Sequence, residues 1–534
     1  MKIAFLISLL ACGLGLGLTS CAESASDSGP ASSGSVIRRG NIEDPMTLDP
    51  VAAEDVHTFN ILIDIYEGLV AENASGQLVP GVAKSWTISD DGLTYTFHLR
   101  SDARWSSGEP VTSHDFVRAF RRAAVPATLS TYANLLAPLE NFDRVKSGGA
   151  TDDTLGVIAT DSLTLTIQLG NPSAHLLSVL AMPIAFPLYG DGSNRAQFED
   201  PEQFIGNGAF VLTQRDIGSP VILARSDNYW DRESVNVETI EYVAIVNEAA
   251  EFDMYRTGEL DITGTIPTSD IDRAKEYYPT EARIAPSLAL YYLAFDLTEP
   301  PLNNVLIRKS LSMTIDRETL ANILGRGEQP AYSVVPPGVA NHSGAEYSWR
   351  TEGKIELVKH ARELYRRAGY SAENPLKLKI LYDAGGVHET IALVVSSMWQ
   401  DSLGVVVELD KREWKYFLDT RDNREEWQVM RFSWFGDYND PSTFTDIFRS
   451  DSAQNLAKYS SIQYDDLTDA AASETNFETR ADLLASAENI LINDYPIVPL
   501  YFYVSKHMVK PDVLGFEDNI LDRHPSKYLN RQQP

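Results

Sequence analysis

The sequence predicts an α/β protein with at least two lobes. Three observations lead to this prediction: segments that alternate polar with apolar residues recur along the chain, uninterrupted apolar and aromatic segments lie among them, and segments with helical periodicity separate them. The chain has 534 residues, of which 43% are hydrophobic and 10% are aromatic, as in folded proteins. At about 100–200 residues per domain, this length predicts two to four domains.

Five segments are predicted to be strands. Residues 94–99 (TYTFHL), 163–167 (LTLTI) and 376–381 (LKLKIL) alternate with a period of two, which is typical of strands that are buried on one face. Residues 288–297 (LALYYLAFDL) and 497–504 (IVPLYFYV) are almost continuously apolar or aromatic, which indicates strands buried on both faces. The sequence therefore predicts both half-covered and fully covered strands.

Three segments are predicted to be helices. Residues 354–368 carry leucine and alanine on one helical face and end before Gly369, a residue suited to the position after a helix. Thr112 and Asp115 have the spacing of a capping box and predict that a second helix begins there, with Asp in place of the usual Glu. Residues 481–493 predict a third helix.

Net charge and missing motifs exclude several classes of function. The chain carries 45 basic and 75 acidic residues, a formal net charge of −30, so most of its surface would repel a nucleic acid. The sequence has no Gly-x-Ser-x-Gly motif and no Walker loop, and His388-Glu389 lacks the second histidine of a zinc protease because Ala392 stands there. The nine histidines have no metal-ligand spacing. We therefore predict a binding protein without catalytic residues, metal site or cofactor.

The N-terminus has the pattern of an exported lipoprotein. Met1-Lys2 is a basic start, residues 3–18 are apolar, and Leu18-Thr19-Ser20-Cys21 resembles the bacterial lipobox, after which cleavage leaves a lipidated cysteine. We predict a lipoprotein signal peptide over residues 1–21, lipid attachment at Cys21 and a flexible tether over residues 22–35. The alternative is an ordinary signal peptide with an incidental cysteine. Cleavage would leave no other cysteine, which excludes disulfides from the exported part.

Several segments, taken in order, resemble the dipeptide- and oligopeptide-binding family of bacterial solute-binding proteins, the receptors of ABC importers. The resemblance runs from about Val36 to the C-terminus and is closest to the oligopeptide-binding branch. Its segments are 44–50 (DPMTLDP), 65–70 (IYEGLV), 80–86 (PGVAKSW), 95–100 (YTFHLR), 103–112 (ARWSSGEPVT), 206–210 (GNGAF), 228–230 (NYW), 255–261 (YRTGELD) and 434–441 (WFGDYNDP).

The resemblance implies an α/β fold of the periplasmic-binding-protein type II class. Two lobes would be built from three interwoven domains, with the ligand cleft between the lobes and a hinge that closes them. Domain I would comprise residues 36–66, 187–288 and 505–534, domain II would comprise residues 67–186, and domain III would comprise residues 289–504.

The resemblance also implies a function. The protein would be a periplasmic substrate-binding lipoprotein of a peptide ABC transporter in a Gram-negative bacterium. It would bind short oligopeptides through their termini and backbone as a monomer, and it would deliver them to the inner-membrane permease. Two alternatives stay open: the same fold binding a murein peptide or another small solute, and a peptide hydrolase, against which the missing catalytic motifs argue.

Within the segment 434–441, Asp437 matches the family aspartate that holds the peptide N-terminus. A carboxylate suits this role because an enclosed ammonium ion needs a partner to offset the loss of its hydration. The alternative is a surface or helix-capping acid. Asp440-Pro441 is the better pair for the start of a helix, which leaves Asp437 without a capping role.

Three basic residues match family positions that bind the peptide C-terminus: Arg431, His388 and Arg421. A guanidinium suits a carboxylate because it can donate two hydrogen bonds and stays charged. The alternatives are an exposed strand arginine for Arg431 and a polar residue near a helix start for His388. One extra residue between Arg421 and Arg431, relative to the family, weakens the assignment of Arg421.

Six further residues match positions that line the ligand cleft. Ala289 and Phe435 stand where better-known enteric members carry a disulfide, so the sequence predicts that this link is absent. For Asn207 and Gly208 a simple tight turn is an alternative, and each aromatic residue could equally belong to the core. The cleft residues are Glu54, Tyr132, Asn207, Gly208, Trp434 and Tyr503.

Overall fold

The computed structural model describes residues 35–532, apart from 131, 343, 385–386 and 423–426. The predicted signal peptide, Cys21 and all but the last residue of the predicted tether lie outside the described residues. Within the described part of the chain, no helix combines the length and the apolar character needed to cross a membrane.

The strands of the described residues are numbered in chain order. They are β1 Val36–Gly40, β2 Val70–Glu72, β3 Leu78–Pro80, β4 Ala83–Ile88, β5 Thr94–Leu99, β6 Val157–Asp161, β7 Thr164–Gln168, β8 Phe210–Gln214, β9 Val221–Arg225, β10 Thr239–Val243, β11 Ala282–Phe295, β12 Gln329–Pro330, β13 Lys377–Asp383, β14 Val406–Arg412, β15 Val429–Phe435, β16 Ile497–Met508, β17 Val513–Leu514 and β18 Asn530–Arg531.

The α-helices are numbered in the same way, and short 3₁₀ turns lie between several of them. They are α1 Val56–Ile65, α2 Ser113–Ala124, α3 Phe142–Lys146, α4 Leu176–Val179, α5 Glu248–Thr257, α6 Ile271–Tyr277, α7 Val305–Met313, α8 Arg317–Leu324, α9 Lys354–Arg367, α10 His388–Leu403, α11 Trp414–Asp422, α12 Ser442–Thr445, α13 Ile462–Ser473 and α14 Phe477–Asp494.

All five predicted strands and all three predicted helices are present. Strand β5 alternates partly buried with buried residues, as its period of two predicts, and residues 288–295 of β11 are buried throughout. Helix α2 begins after Thr112, whose backbone N–H donates to the Asp115 carboxylate at 2.7 Å, as in a capping box. Strand β11 begins six residues before the predicted segment, because Ala282–Pro286 pair with β16 although Arg283 and Pro286 interrupt the apolar pattern there.

Three larger sheets organise the fold. One has the order β1-β10-β9-β8, a second has the order β4-β5-β7-β6, and the third has six strands in the order β12-β16-β11-β15-β13-β14. In the third sheet β13 lies parallel to both β14 and β15, while β11 is antiparallel to β15 and β16. The α/β class predicted from the sequence is confirmed.

Two large hydrophobic cores correspond to two lobes. The first core joins residues of the sheets of β1 and β4, for example Ile37, Phe97 and Leu223. The second core surrounds the six-stranded sheet and its helices, for example Tyr292 and Trp399. The chain therefore buries apolar residues in two separate places, with the candidate cleft residues drawn from both.

Strands β11 and β16 pair over most of their length, from Ala282 opposite Met508 to Ala294 opposite Ile497. Both predicted boundaries of domain III fall inside this pair, close to a register irregularity between Pro286 and Leu290. A local irregularity in a two-stranded connection is a place where the pair can bend. No finding fixes the domain boundaries themselves, and they stay a prediction.

Candidate functional site

Asp437 is the second residue after strand β15 and begins a bend that runs to Asp440. The Gly436 N–H donates to the carbonyl of Leu288 at 2.7 Å, and a Cβ atom at position 436 would lie 2.7 Å from the Leu288 side chain. The Asp437 N–H then donates to the hydroxyl of Thr443 at 3.3 Å. A larger residue at position 436 would displace the Leu288 and Thr443 side chains, so glycine suits the backbone that leads to Asp437.

The Asp437 carboxylate is partly buried and has no partner of opposite charge in contact with it. Burial raises its pKa, and the more distant charge of Arg523 partly offsets that increase. Among the described residues, none makes an ion pair or a hydrogen bond with this carboxylate. A carboxylate that has lost water without gaining a partner is able to bind a cation.

Charged residues of both lobes act on the same tyrosine, Tyr132. Burial raises the pKa of Tyr132, and the next largest cause of the increase is the negative charge of Asp437. Glu54 and Asp55 raise the same pKa and Arg523 lowers it, so all of these groups share one electrostatic environment. The structure therefore brings together three predicted site residues that are far apart in sequence: Glu54, Tyr132 and Asp437.

Glu54 is exposed and borders a cavity of about 660 Å³. Arg122 and Arg195 also line this cavity, and Arg122 donates hydrogen bonds of 2.8 and 2.5 Å to the two carboxylate oxygens of Asp49. The cavity wall thus carries both signs of charge, which suits polar side chains of more than one kind.

Asp440, three residues after Asp437, has a different environment. It accepts two hydrogen bonds from Arg480, at 2.6 and 2.7 Å, and one from the N–H of Ser442 at 2.9 Å. Burial would raise its pKa, but the Arg480 hydrogen bond and charge lower it below the usual range. Asp440 therefore stabilises the start of α12, as the sequence predicts, although Pro441 occupies the cap position itself.

Tyr438, between these two acids, contacts the other lobe. Its ring stacks on His175 with 4.2 Å between centroids and an interplanar angle of 10°. Burial lowers the pKa of His175 to about 4, an effect that the charge of Asp440 opposes and that of Arg480 adds to. The residue that follows Asp437 in the chain, Tyr438, is thus covered by the neutral imidazole of His175.

Arg431 and His388 meet at an acid that the sequence analysis did not select. The guanidinium of Arg431 forms a buried ion pair with Asp383, and His388 Nε2 lies 3.9 Å from the same carboxylate. His388 Nδ1 shares a 3.1 Å hydrogen bond with the hydroxyl of Tyr291, and burial lowers the pKa of His388. Two of the three predicted carboxylate-binding residues are therefore close together, but one of them is already paired.

Tyr503 lies beside this group, whereas Trp434 follows Ser433 in β15 and points to the opposite face of the sheet. The hydroxyl of Tyr503 shares a 2.9 Å hydrogen bond with Ser433, and its ring is 5.2 Å from that of Tyr501. The indole N–H of Trp434 and the hydroxyl of Tyr501 are buried and make no hydrogen bond within the described part of the chain.

Arg421 lies elsewhere. Its guanidinium is 5.7 Å from the ring of Phe432, the residue after Arg431, and it lines a separate cavity of about 280 Å³ with Gln454 and Lys458. The structure does not bring Arg421 together with the other candidate residues.

Asn207 and Gly208 have structural roles in the fold. The Asn207 side chain accepts from the N–H of Glu67 at 3.1 Å and donates to the carbonyl of Glu67 at 2.8 Å. The Gly208 N–H donates to Ile65, and a Cβ atom there would lie 2.4 Å from the carbonyl oxygen of Asp64. These groups hold the loop in place, so any ligand contact would involve other backbone groups of the loop.

Sequence reasoning missed two charged residues of the site, Asp383 and Arg523. Asp383 ends β13, and Arg431 lies on β15. The two residues come close because these strands pair in parallel. Arg523 comes from the C-terminal segment and donates to Glu72 at 2.9 Å. Neither residue has a local sequence signal, because each meets its partners through tertiary contacts.

Comparison with known proteins places the chain in a family. The family model described as bacterial extracellular solute-binding proteins, family 5 Middle, matches residues 77–455. The periplasmic murein peptide-binding protein MppA of Escherichia coli is 35% identical over 481 residues, which cover 89% of each chain.

Two solved structures share the fold over nearly the whole chain. The murein tripeptide-binding protein MppA in its unliganded open form superposes with a TM-score of 0.89 at 34% identity, covering 94% of this chain and 98% of that one. The oligopeptide-binding protein OppA of Haemophilus influenzae, in complex with the peptide RPPGFSPFR, gives a TM-score of 0.70 at 33% identity, covering 94% and 99%. This chain is therefore a member of the bacterial extracellular solute-binding proteins of family 5.

Proposed function

We propose that this protein is the receptor of a peptide ABC importer, which binds short oligopeptides by their free N-terminus and delivers them to an inner-membrane permease. The observation that carries the proposal is the Asp437 carboxylate, which is partly buried, has no ion-pair partner among the described residues and acts electrostatically on Tyr132, as Glu54 does. The names of the relatives, a murein peptide-binding and an oligopeptide-binding protein, support the same ligand class.

A peptide ammonium would complement Asp437 in both charge and hydrogen bonding. Its three N–H donors would stabilise the ionised carboxylate and so offset the burial that raises its pKa. Because every peptide with a free N-terminus carries this group, recognition would not depend on its side chains. The peptide backbone would be bound by neighbouring chain segments, as in strand addition.

The side chains of the peptide would lie in roomy, polar surroundings. The cavity beside Glu54 has a volume of about 660 Å³ and is lined by acidic, basic and apolar residues. Water molecules in such a space can bridge to different side chains, so the receptor would accept peptides of varied sequence. A murein peptide also carries an ammonium group, and the relationship to MppA favours it as the second candidate ligand.

The cellular arrangement is part of the proposal. Cleavage before Cys21 would leave a lipidated cysteine and a tether of about 14 residues, which at about 5–6 Å × √n spans roughly 20 Å on average. The receptor would thus stay at the membrane surface of the periplasm as a monomer, within reach of its permease. It would bind and release its ligand without chemical change.

Native mass spectrometry of the chain from Ala22 onward would test the proposal. Asp437→Asn is compared with Asp446→Asn, a matched control in which burial likewise raises the pKa of the carboxyl, to about 6. We expect co-purified short peptides on the parent and on the control, and their loss from Asp437→Asn. Equal retention by all three proteins would reject Asp437 as the anchor, and a parent that neither carries nor takes up tri- to pentapeptides would reject the peptide ligand.

A further inference from the structure

The ion pair between Asp383 and Arg431 lies where the family resemblance places a binding site for a peptide carboxylate. Asp383 is the last residue of β13, Arg431 is the third residue of β15, and the two strands are parallel neighbours. Asp383 is 5% exposed and Arg431 is 7% exposed. The carboxylate that neutralises this arginine therefore comes from the protein itself.

Aromatic side chains of helix α11 cover the same guanidinium. Its carbon lies 4.9 Å from the ring centroid of Phe417 and 5.6 Å from that of Trp414. The Nε atom of Arg431 is buried and has no hydrogen-bond partner among the described residues. Arg431 is thus largely buried, in a fold that superposes better with an unliganded open form than with the peptide complex described above.

Two described basic side chains near this pair, His388 and Arg326, add little positive charge beside Arg431. Burial lowers the pKa of His388, which favours its neutral form. Arg326, whose charge also acts on His388, is itself 3.2 Å from the carboxylate of Glu328. A second carboxylate brought to Arg431 would meet the negative charge of Asp383 in a desolvated site, where like charges repel strongly.

We propose that Asp383 is a specificity-determining residue: its carboxylate takes the place that a ligand carboxylate would occupy on Arg431. The receptor would then bind a short peptide equally well whether its C-terminus is a free acid or a neutral amide. This inference rests on the proposed function, since it concerns the second end of a peptide anchored at Asp437. It departs from the role that family resemblance suggests for Arg431.

The test compares one tripeptide, trialanine, as the free acid and as the C-terminal amide. Isothermal titration calorimetry gives both dissociation constants for the parent, for Asp383→Asn and for the double variant Asp383→Asn with Arg431→Gln. The readout is the ratio of the two constants, because a purely structural defect would weaken both peptides alike. The double variant keeps a neutral pair of similar size, so it also serves if Asp383→Asn alone fails to fold.

We expect a ratio near one in the parent. In Asp383→Asn, Arg431 becomes available, and the acid should bind about tenfold or more tightly than the amide, as a charge-assisted hydrogen bond allows. The double variant should return the ratio to near one.

A parent that already prefers the acid by about tenfold would overturn the proposal without any variant. So would an unchanged ratio in Asp383→Asn, or an acid preference that survives in the double variant. Failure of the proposed function is distinguishable from all of these, because then the parent binds neither peptide.

Discussion

Asp437 and Asp440 are three residues apart in one loop, yet the fold treats them in opposite ways. Asp440 is buried, accepts hydrogen bonds from Arg480 and Ser442, and has a lowered pKa. Asp437 has no such partner among the described residues, and burial raises its pKa. Of these two carboxylates, Asp440 is held by the fold, and Asp437 is the one suited to pair with a cation from outside the chain.

The largest expected effect concerns stability. Asp440→Asn leaves the buried Arg480 without its counter-ion, which should lower the free energy of unfolding by about 3–5 kcal/mol. Asp437→Asn removes a desolvated charge that no described residue pairs with, and should leave stability unchanged or slightly higher. Urea denaturation of both variants measures the difference. If both variants lost the same free energy of unfolding, Asp437 would also have a structural partner, and the two acids would not differ in role.

The next largest effect is a loss of folding stability at acidic pH, through His175. The folded-state pKa of His175, about 4, lies below its usual value of 6.5, so its contribution to stability is complete above pH 6.5 and is lost as the pH falls towards 4. Between pH 7 and pH 5 this linkage should lower the free energy of unfolding by about 1–2 kcal/mol. In His175→Phe, which keeps the stacking on Tyr438, that loss should be absent. Calorimetric melting temperatures of the parent and of His175→Phe across this pH range measure the difference. An equal pH dependence in the two proteins would refute the prediction.

Peptide affinity should also depend on pH, through the carboxylate of Asp437. Because the pKa of Asp437 is raised, the carboxylate becomes protonated at a higher pH than an ordinary aspartate and then no longer pairs with an ammonium. Affinity should fall by up to about tenfold per pH unit below that pKa, until the pKa of the complex is reached. Tryptophan fluorescence titrations between pH 7 and 4 measure it, with Asp446→Asn as control. A flat affinity profile would mean that Asp437 does not hold the ammonium.

The smallest effect concerns side-chain preference. Glu54→Gln should weaken peptides that place a lysine side chain in the cavity beside it by roughly two- to threefold, because an exposed ion pair contributes little. Peptides with norleucine at the same position, which lack the charge, should bind unchanged. Calorimetric titration with the two peptide series checks this. An equal effect on both series would indicate that Glu54 acts on the fold of the cavity rather than on ligand charge.

The regular elements were predictable because their causes are local. The alternation in 94–99 and the apolar run in 288–297 each describe the two faces of one strand, and burial of those faces follows from side-chain chemistry. The capping box at Thr112 involves residues within one helical turn. The sequence does not predict the start of β11, because Arg283, Pro286 and Ser287 interrupt its apolar pattern and the strand forms there through pairing with β16.

Candidate residues were predictable only as members of a family motif. Ala289 and Phe435, predicted to stand at the positions of a lost disulfide, are directly opposite each other in register, which supports the residue assignments across β15. Arg421, by contrast, lies in another cavity, as the extra residue before Arg431 suggested. The roles of the site residues remain predictions that the experiments above test.

By itself, the sequence determined the α/β class, the family and the position of Asp437 next to a glycine. These follow from periodicity, from composition and from motifs that are contiguous in the chain. Only the tertiary structure decided that Asp440 is paired and Asp437 is not, and that Asp383 neutralises Arg431. Pairing and desolvation depend on side chains brought together from distant parts of the chain, and these two quantities fix the energy of a buried charge.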